Sequence, residues 1–228
     1  MAKKGCVLIH GFTGSPKEIQ ILADHLQQHG FDVDTPILPG HGDIIERRKM
    51  RVQANWQEWI KAGEQAVKNM LETHEEVYVV GFSMGGMIAI YLAAKYPLKK
   101  LVLLSASAFY MNIGRFFGNL KQMRAKEHWS RYLYKIKNTP LNATLQFQRL
   151  VKELFPYIKS VHTPTLIIQG ELDDLVDPKS AKYIYDTISS KEKYIHFLPR
   201  SKHVICLDVE KETVVTLVNQ FLLEGKVR

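Results

Sequence analysis

Cysteine is scarce in this sequence, which has two in 228 residues, Cys6 and Cys206. Neither has the spacing of a metal site, so both are predicted to be reduced thiols near the core, and neither a metal nor another cofactor is expected. No apolar run reaches the eighteen or so residues of a membrane span, and the short apolar stretch near the start is not the core of a signal peptide. These absences predict a cytoplasmic protein without a transmembrane segment.

Acidic residues are almost missing from positions 109–137, where Glu127 stands against seven lysines and arginines. The segment contributes to a formal net charge of +8 for the whole chain. Aromatic side chains are interleaved with the basic ones, and such a mixture can either stack nucleic-acid bases or line an apolar pocket beneath a solvated basic face. The second interpretation is favoured, and no nucleic-acid partner is expected.

Short apolar or β-rich runs alternate with helical patterns along the chain. The runs predicted to be strands are 6–9, 31–35, 77–80, 101–104, 165–168 and 194–197. Between them, residues 16–29 and 55–71 have apolar side chains at helical spacing, and the tryptophans of the second segment, Trp56 and Trp59, are expected to pack in the core. This alternation predicts an α/β fold, with a mostly parallel sheet and helices on both of its faces.

One insertion breaks the alternation of what is otherwise expected to be a single domain of residues 1–228. At about residues 108–160 there is no convincing strand, and helix-compatible basic and aromatic stretches predominate. The insertion lies between two predicted strands, so it is expected at the carboxyl edge of the sheet, where ligands bind in open α/β sheets. It is predicted to be a small helical cap over the site, and the alternative is a helical extension packed away from it.

Ser83 lies at the centre of Gly81-Phe82-Ser83-Met84-Gly85, between a predicted strand and a helix-like run. A sharp turn from strand to helix leaves no room for bulk two residues before and after the serine, which explains the glycines. The serine backbone would then lie at a helix N-terminus, where free N–H groups favour a developing negative charge. The motif predicts that Ser83 is a nucleophile.

A serine hydroxyl needs a histidine to accept its proton and a carboxylate to orient that imidazole. His203 is favoured among nine histidines because it lies in a loop after the last predicted strand and before the final helix. His10 and His41 also lie in predicted loops, but both precede the serine, against the chain order of serine, acid and histidine that accompanies this motif.

Several carboxylates could supply the acid, and spacing alone does not separate them. The candidates after the strand 165–168 are Glu171, Asp173, Asp174 and Asp177. Asp177 precedes Pro178 and has an alternative role as a cap of the helix that begins there. Asp174 has simple solvation as its alternative.

Motifs along essentially the whole chain resemble those of the small bacterial carboxylesterases and monoacylglycerol lipases of the α/β-hydrolase superfamily. They are Leu8-Ile9-His10-Gly11-Phe12-Thr13-Gly14, Leu38-Pro39-Gly40-His41-Gly42, Gly81-Phe82-Ser83-Met84-Gly85-Gly86, Asp173 with Val176 and Pro178, and Ser201-Lys202-His203-Val204. In that family the acid is the first aspartate after the strand, thirty residues before the histidine. The resemblance therefore implies an α/β-hydrolase fold with the catalytic triad Ser83, Asp173 and His203.

The same resemblance implies the rest of the site and the reaction. The backbone N–H groups of Phe12 and Met84 would form the oxyanion hole, although Phe12 has plain packing as its alternative. The implied activity is serine-dependent hydrolysis of short- to medium-chain esters or monoacylglycerols, with an ester as the small-molecule partner. The same scaffold hosts C–C bond hydrolases, peptidases and acyltransferases, and a non-catalytic interaction protein is less favoured because every member of the triad is present.

Overall fold

The computed structural model describes residues 2–42, 55–109 and 141–224. Most of the predicted cap, residues 110–140, lies outside the described residues, as does nearly all of the basic and aromatic segment. The cap over the site and the single domain with one insertion therefore stay predictions.

The six predicted strands are present and form one parallel sheet. They are β1 (Lys4–Ile9), β2 (Phe31–Asp34), β3 (Glu76–Phe82), β4 (Lys100–Leu104), β5 (Thr165–Gly170) and β6 (Lys193–Leu198). Their order in the sheet is β2-β1-β3-β4-β5-β6. The chain moves outward from β1 to β2 and then returns past β1 to β3, so the strand order reverses between β1 and β3. Ligands bind beyond the carboxyl ends of the strands at such a point.

Side chains of five of the six strands alternate between two hydrophobic cores, one on each face of the sheet, whereas the edge strand β2 contributes to one core only. In β1, Val7 and Ile9 belong to one core and Cys6 and Leu8 to the other, and all four are fully buried. A strand that is covered on both faces has no polar face, which explains why the inner strands appear in the sequence as mainly apolar runs, whereas the edge strand β2 contains two aspartates. Cys206 lies in the same core as Cys6, and both cysteines are free, as predicted.

Six α-helices among the described residues cover the two faces. They are α1 (Gln20–Gln28), α2 (Trp56–Thr73), α3 (Met84–Lys95), α4 (Leu141–Leu154), α5 (Lys179–Thr187) and α6 (Lys211–Asn219). Helices α1 and α6 contribute to the core that contains Cys6, and the other four contribute to the core on the opposite face. None of the described helices is long and apolar enough to cross a membrane.

Helix α2 follows the predicted pattern. Asn55 precedes its first residue, and the Asn55 side chain accepts a hydrogen bond from the backbone N–H of Gln57 at 3.0 Å, which satisfies one of the free donors of the first turn. Trp59 is fully buried, as predicted, and its indole N–H donates to the Pro39 carbonyl at 2.9 Å. Trp56 is partly buried and packs against the same core.

The predicted helix at 16–29 begins later than expected. Pro16–Glu18 form a short 3₁₀ turn, and the backbone of Ile19 leaves the helical region, with φ −125° and ψ 13°. The α-helix starts only at Gln20. Hydrophobic spacing does not distinguish a 3₁₀ turn from the first turn of an α-helix, because both bring residues three apart to one side.

The described end of the predicted cap segment is helical, as expected. It comprises α4 and the 3₁₀ turn Phe155–Ser160. Phe147 of α4 is buried, and its ring stacks on that of Phe12, with the centroids 5.0 Å apart and the planes 11° from parallel. This end of the insertion thus lies beside the loop that follows β1.

Candidate active site

Ser83 lies in a strained turn between β3 and α3. Its φ of 55° and ψ of −116° are unusual for a residue with a side chain, and such a conformation costs on the order of 1–3 kcal/mol. The two glycines of the motif make the turn possible. A Cβ atom on Gly81 would lie 2.7 Å from the Cβ of Ala89, and one on Gly85 would lie 2.6 Å from the backbone oxygen of His10.

Three predicted site residues meet at the carboxyl edge of the sheet. Ser83 follows β3, Asp173 follows β5 and His203 follows β6, and parallel strands end at the same edge. The Nε2 atom of His203 lies 3.0 Å from the Oγ of Ser83, and its Nδ1 atom lies 2.8 Å from the Oδ2 of Asp173. The structure thus places the hydroxyl, the imidazole and the carboxylate in one hydrogen-bonded chain.

The carboxylate of Asp173 is buried and hydrogen-bonded on both oxygens. Its side chain is 0% exposed. Oδ1 accepts from the backbone N–H groups of Leu175 and Val176, each at 2.9 Å. Oδ2 accepts from His203 and from the side-chain amide of Gln169 at 2.8 Å. A carboxylate with this many donors is stable as the anion inside a protein.

The pKa values of the acid and the histidine move in opposite directions. Burial alone would raise the pKa of Asp173, but the neighbouring charge of His203 and the hydrogen bonds lower it below its ordinary value. Burial alone would lower the pKa of His203, but the charge and the hydrogen bond of Asp173 raise it above its ordinary value. Each shift favours the charged form, so the carboxylate stabilises the imidazolium that forms when His203 takes a proton.

The remaining carboxylate candidates have other surroundings. The Oδ1 of Asp177 accepts from the backbone N–H of Lys179 at 2.9 Å, so this residue caps the start of α5, as its position before Pro178 suggested. Asp174 is half-buried, and burial raises its pKa, so the expected solvation is only partly right. Glu171 is exposed.

The side chains of His10 and His41 form hydrogen bonds with the backbone of the loops around them. The Nε2 of His10 accepts from the backbone N–H of Leu38 at 3.2 Å, which leaves Nδ1 to donate to the Gly11 carbonyl at 2.8 Å. The Nδ1 of His41 lies 3.2 Å from the Pro39 carbonyl. Both rings are buried, and the bond from Leu38 to His10 and the contact between the two rings, whose centroids are 5.3 Å apart, connect the loop after β1 to the loop after β2.

The loop after β1 runs directly beside the serine. A Cβ atom on Gly11 would lie 3.2 Å from the Cβ of Ser83. The Phe12 ring packs against the rings of Trp59, His41 and Phe147, with centroid distances of 5.0–5.9 Å, so the packing expected as an alternative does occur. These contacts involve the ring alone, and the role of the Phe12 backbone N–H in an oxyanion hole stays a prediction.

The sequence matches the model of the alpha/beta hydrolase fold over residues 7–163. The chain belongs to this family. A second model, described as serine aminopeptidase S33, matches residues 120–210 of the same α/β hydrolase.

Two curated relatives align with nearly the whole chain. A carboxylesterase of Bacillus subtilis (strain 168) is 26% identical over 228 residues, covering 96% of this chain and 92% of that protein. A thermostable monoacylglycerol lipase of Bacillus sp. (strain H-257) is 28% identical over 222 residues, covering 92% and 87%. The resemblance to these two kinds of protein is thereby confirmed.

The fold is also shared with a solved structure from a study of two metagenome-derived lipolytic enzymes. The TM-score is 0.82, the sequence identity is 23%, and the match covers 98% of this chain and 94% of the other. This likeness confirms the predicted α/β-hydrolase fold. Within the described ranges of our α/β hydrolase, no group of three or more His, Cys, Asp or Glu side chains is placed to hold a metal ion.

Sequence analysis did not single out two serines that follow β4 in this α/β hydrolase. Ser105, with φ 46°, donates through its Oγ to the backbone oxygen of His203 at 3.0 Å. The Oγ of Ser107 lies 3.4 Å from that of Ser83, and both Ser105 and Ser107 are fully buried. The sequence does contain a signal for them, since both are small polar residues just after a buried strand. Because β4 ends at the same edge of the sheet as β3, such residues are expected near Ser83.

Proposed function

We propose that this α/β hydrolase is a serine carboxylesterase that hydrolyses short- to medium-chain esters or monoacylglycerols. The observation that carries the proposal is the chain of hydrogen bonds from Ser83 through His203 to Asp173, at 3.0 and 2.8 Å. The curated relatives support ester hydrolysis, since one is named a carboxylesterase and the other a monoacylglycerol lipase.

In the first half of the proposed reaction, the Oγ of Ser83 attacks the ester carbonyl carbon while its proton passes to Nε2 of His203. The carbonyl oxygen becomes an oxyanion, which the backbone N–H groups of Phe12 and Met84 stabilise. The C–O bond to the alcohol then breaks, and His203 returns the proton to the leaving oxygen. The product is an acyl ester on Ser83 and a free alcohol.

In the second half, a water molecule attacks the acyl ester and gives its proton to His203. The tetrahedral intermediate forms the same hydrogen bonds with Phe12 and Met84. When it collapses, the bond to Ser83 breaks, the serine regains its proton from His203 and the carboxylic acid leaves. Asp173 remains ionised throughout and holds the imidazole in the tautomer that has a proton on Nδ1.

A cavity that includes Ala108 is the proposed place for the acyl group. Its volume is about 280 Å³, and its lining residues are Ala108, Phe109, Val151, Lys152 and Phe155. Ala108 comes directly after Ser107, whose hydroxyl contacts that of Ser83. This is near the small end of ligand pockets, which suits a short or medium chain better than a bulky one.

A peptidase is the second candidate, because residues 120–210 match the model of serine aminopeptidase S33. The same triad would serve an amide as well as an ester. Aminoacyl p-nitroanilides separate the two candidates. We expect p-nitrophenyl esters to be turned over and the anilides to be left nearly intact, and the reverse preference would favour the peptidase.

The test is hydrolysis of p-nitrophenyl esters over a series of acyl lengths, with Ser83→Ala beside the wild type. We expect turnover to fall by about a millionfold in this variant, because the nucleophile is lost. Ser189→Ala is the matched control, since this serine is exposed and bonds to the Lys159 carbonyl. A folded wild type that hydrolyses no ester of the series would overturn the proposal.

A further inference from the structure

Gln169 is a polar residue in an otherwise apolar part of the sheet. It is the fifth residue of β5, in which every residue is buried, and it follows Ile167 and Ile168. Its own side chain is fully buried. Burying an amide costs free energy unless its polar atoms find partners, so a glutamine at this position needs an explanation.

The Gln169 amide contacts the acid of the triad directly. Its Nε2 donates to the Oδ2 of Asp173 at 2.8 Å and to the backbone oxygen of Gly170 at 3.1 Å. Its Oε1 is buried and has no hydrogen-bond partner in the described ranges. The opposite orientation would bring two acceptor oxygens together, so the carboxylate determines which way the amide faces.

The two side-chain donors converge on one oxygen of Asp173. Gln169 and His203 each bond to Oδ2 at 2.8 Å, while Oδ1 is held by backbone N–H groups. We propose that Gln169 is a positioning residue, which fixes the plane of the Asp173 carboxylate so that Oδ2 receives the Nδ1–H of His203. This inference rests on the proposed function, because that function gives Ser83, His203 and Asp173 their catalytic roles.

A second effect follows from the shared oxygen. The hydrogen bond from Gln169 partly neutralises the charge on Oδ2. The carboxylate therefore stabilises the imidazolium of His203 less than it would without the amide. Asp173, Glu18 and Asp174 are the acidic groups that act on His203, and the Phe82 ring lies 5.1 Å from the imidazole. Gln169 is neutral, so its replacement by methionine removes a hydrogen bond without changing the charge around the site.

Gln169→Met tests the inference, because methionine has a similar length but cannot donate. We measure the titration midpoint of His203 by NMR and the pH profile of kcat/KM. In the wild type we expect a midpoint above the ordinary value of about 6.5. In the variant we expect it about half a unit to one unit higher still, with kcat at the optimum about three- to tenfold lower and KM within about twofold.

The sign follows from the need for neutral His203. A higher midpoint leaves more of the imidazole protonated at a given pH, so the acid limb of the profile moves to higher pH. Without the hydrogen bond from Gln169, Asp173 also takes up a proton more readily at low pH. This protonation lowers the activity of the variant there and shifts the pH profile in the same direction.

Gln20→Met is the matched control. Gln20 also donates to an aspartate four residues later, Asp24, at 2.7 Å, but this pair is exposed on α1. Its loss should leave the His203 midpoint and the pH profile unchanged. An unchanged midpoint in folded Gln169→Met, with activity reduced only in proportion to the folded fraction, would assign Gln169 a structural role and overturn the inference.

A second variant and a readout that needs no turnover complete the experiment. If Gln169→Met does not fold, Gln169→Leu removes the same hydrogen bond with another neutral, apolar side chain, and it should raise the His203 midpoint in the same way. An unchanged midpoint there would equally contradict the inference. The NMR titration needs no turnover, so a wild type that fails to hydrolyse esters would contradict the proposed function and still leave the comparison of midpoints valid.

Discussion

Three aspartates within five residues of one another after β5 have different tasks. Asp173 is hydrogen-bonded to His203, Asp177 caps α5, and Asp174 is half-buried beside them. We expect Asp173→Asn to lower kcat by roughly ten-thousandfold, because an amide in this place favours the wrong tautomer of the imidazole. Steady-state kinetics on the preferred p-nitrophenyl ester measure the effect.

The neighbouring variants are the controls for that prediction. Asp174→Asn and Asp177→Asn should both stay near the wild-type rate, and Asp177→Asn should also keep its stability, because an amide oxygen at this position can still accept from the Lys179 N–H. If Asp174→Asn were the inactive variant and Asp173→Asn the active one, the assignment of the acid would be wrong.

The acid was also the residue that the sequence alone could not select. Four carboxylates follow β5, and residue type and spacing suit several of them. What separates them is the fold of the loop, which turns the N–H groups of Leu175 and Val176 toward Asp173. The family resemblance supplied the choice. Ser83 and His203 were accessible from local pattern, since a glycine-bracketed elbow and a loop after the last strand are both visible in the sequence.

At the scale of elements, the turn from β3 into α3 depends on close contact with the end of β1. A Cβ atom on Gly85 would collide with the backbone oxygens of Ile9 and His10, neither of which can rotate away. We expect Gly85→Ala to destabilise the protein by about 1–3 kcal/mol and to lower kcat on the order of a hundredfold, because the loop after β1 must move away from Ser83. Chemical denaturation and ester kinetics measure the two effects.

Gly30→Ala is the control that separates backbone strain from the steric collision expected in Gly85→Ala. Gly30 has φ +81°, and no heavy atom lies within 4 Å of an added Cβ. The cost should therefore be the backbone strain alone, about 1–2 kcal/mol, with unchanged kcat. Equal kinetic effects in the two variants would mean that Gly85 acts through general stability rather than through the elbow.

The element boundaries show what hydrophobic pattern can and cannot predict. All six strands were found, but five of the predicted runs were too short, as with 77–80 against the observed Glu76–Phe82, and the run 31–35 extended one residue past the observed Phe31–Asp34. The apolar run marks the buried centre, while the ends contain residues such as Glu76 and Gly81 whose place in the sheet depends on pairing with neighbouring strands. Gln169 was not identified as a site residue because its partner, Asp173, is brought to it by the fold of the loop after β5.

At the scale of the whole molecule, the topology makes distant residues into one site. Ser83 and His203 are 120 positions apart, and the parallel arrangement brings the loops after β3, β5 and β6 to one edge. The buried Ser105 adds a link from β4 to the backbone of His203. The site therefore depends on the sheet remaining intact from β1 to β6, which makes cooperative unfolding a property worth testing.

The two buried cysteines provide that test of the predicted single domain. Cys6 lies in β1 and Cys206 follows the His203 loop, both in the same core, and burial raises the pKa of each thiol, that of Cys206 to about 12. We expect both to react with a thiol reagent at one common slow rate, that of global unfolding, and quickly in denaturant. Peptide mapping after timed labelling measures each rate. Faster labelling of Cys206 would show that the segment after His203 opens independently, and the single cooperative unit would then be wrong.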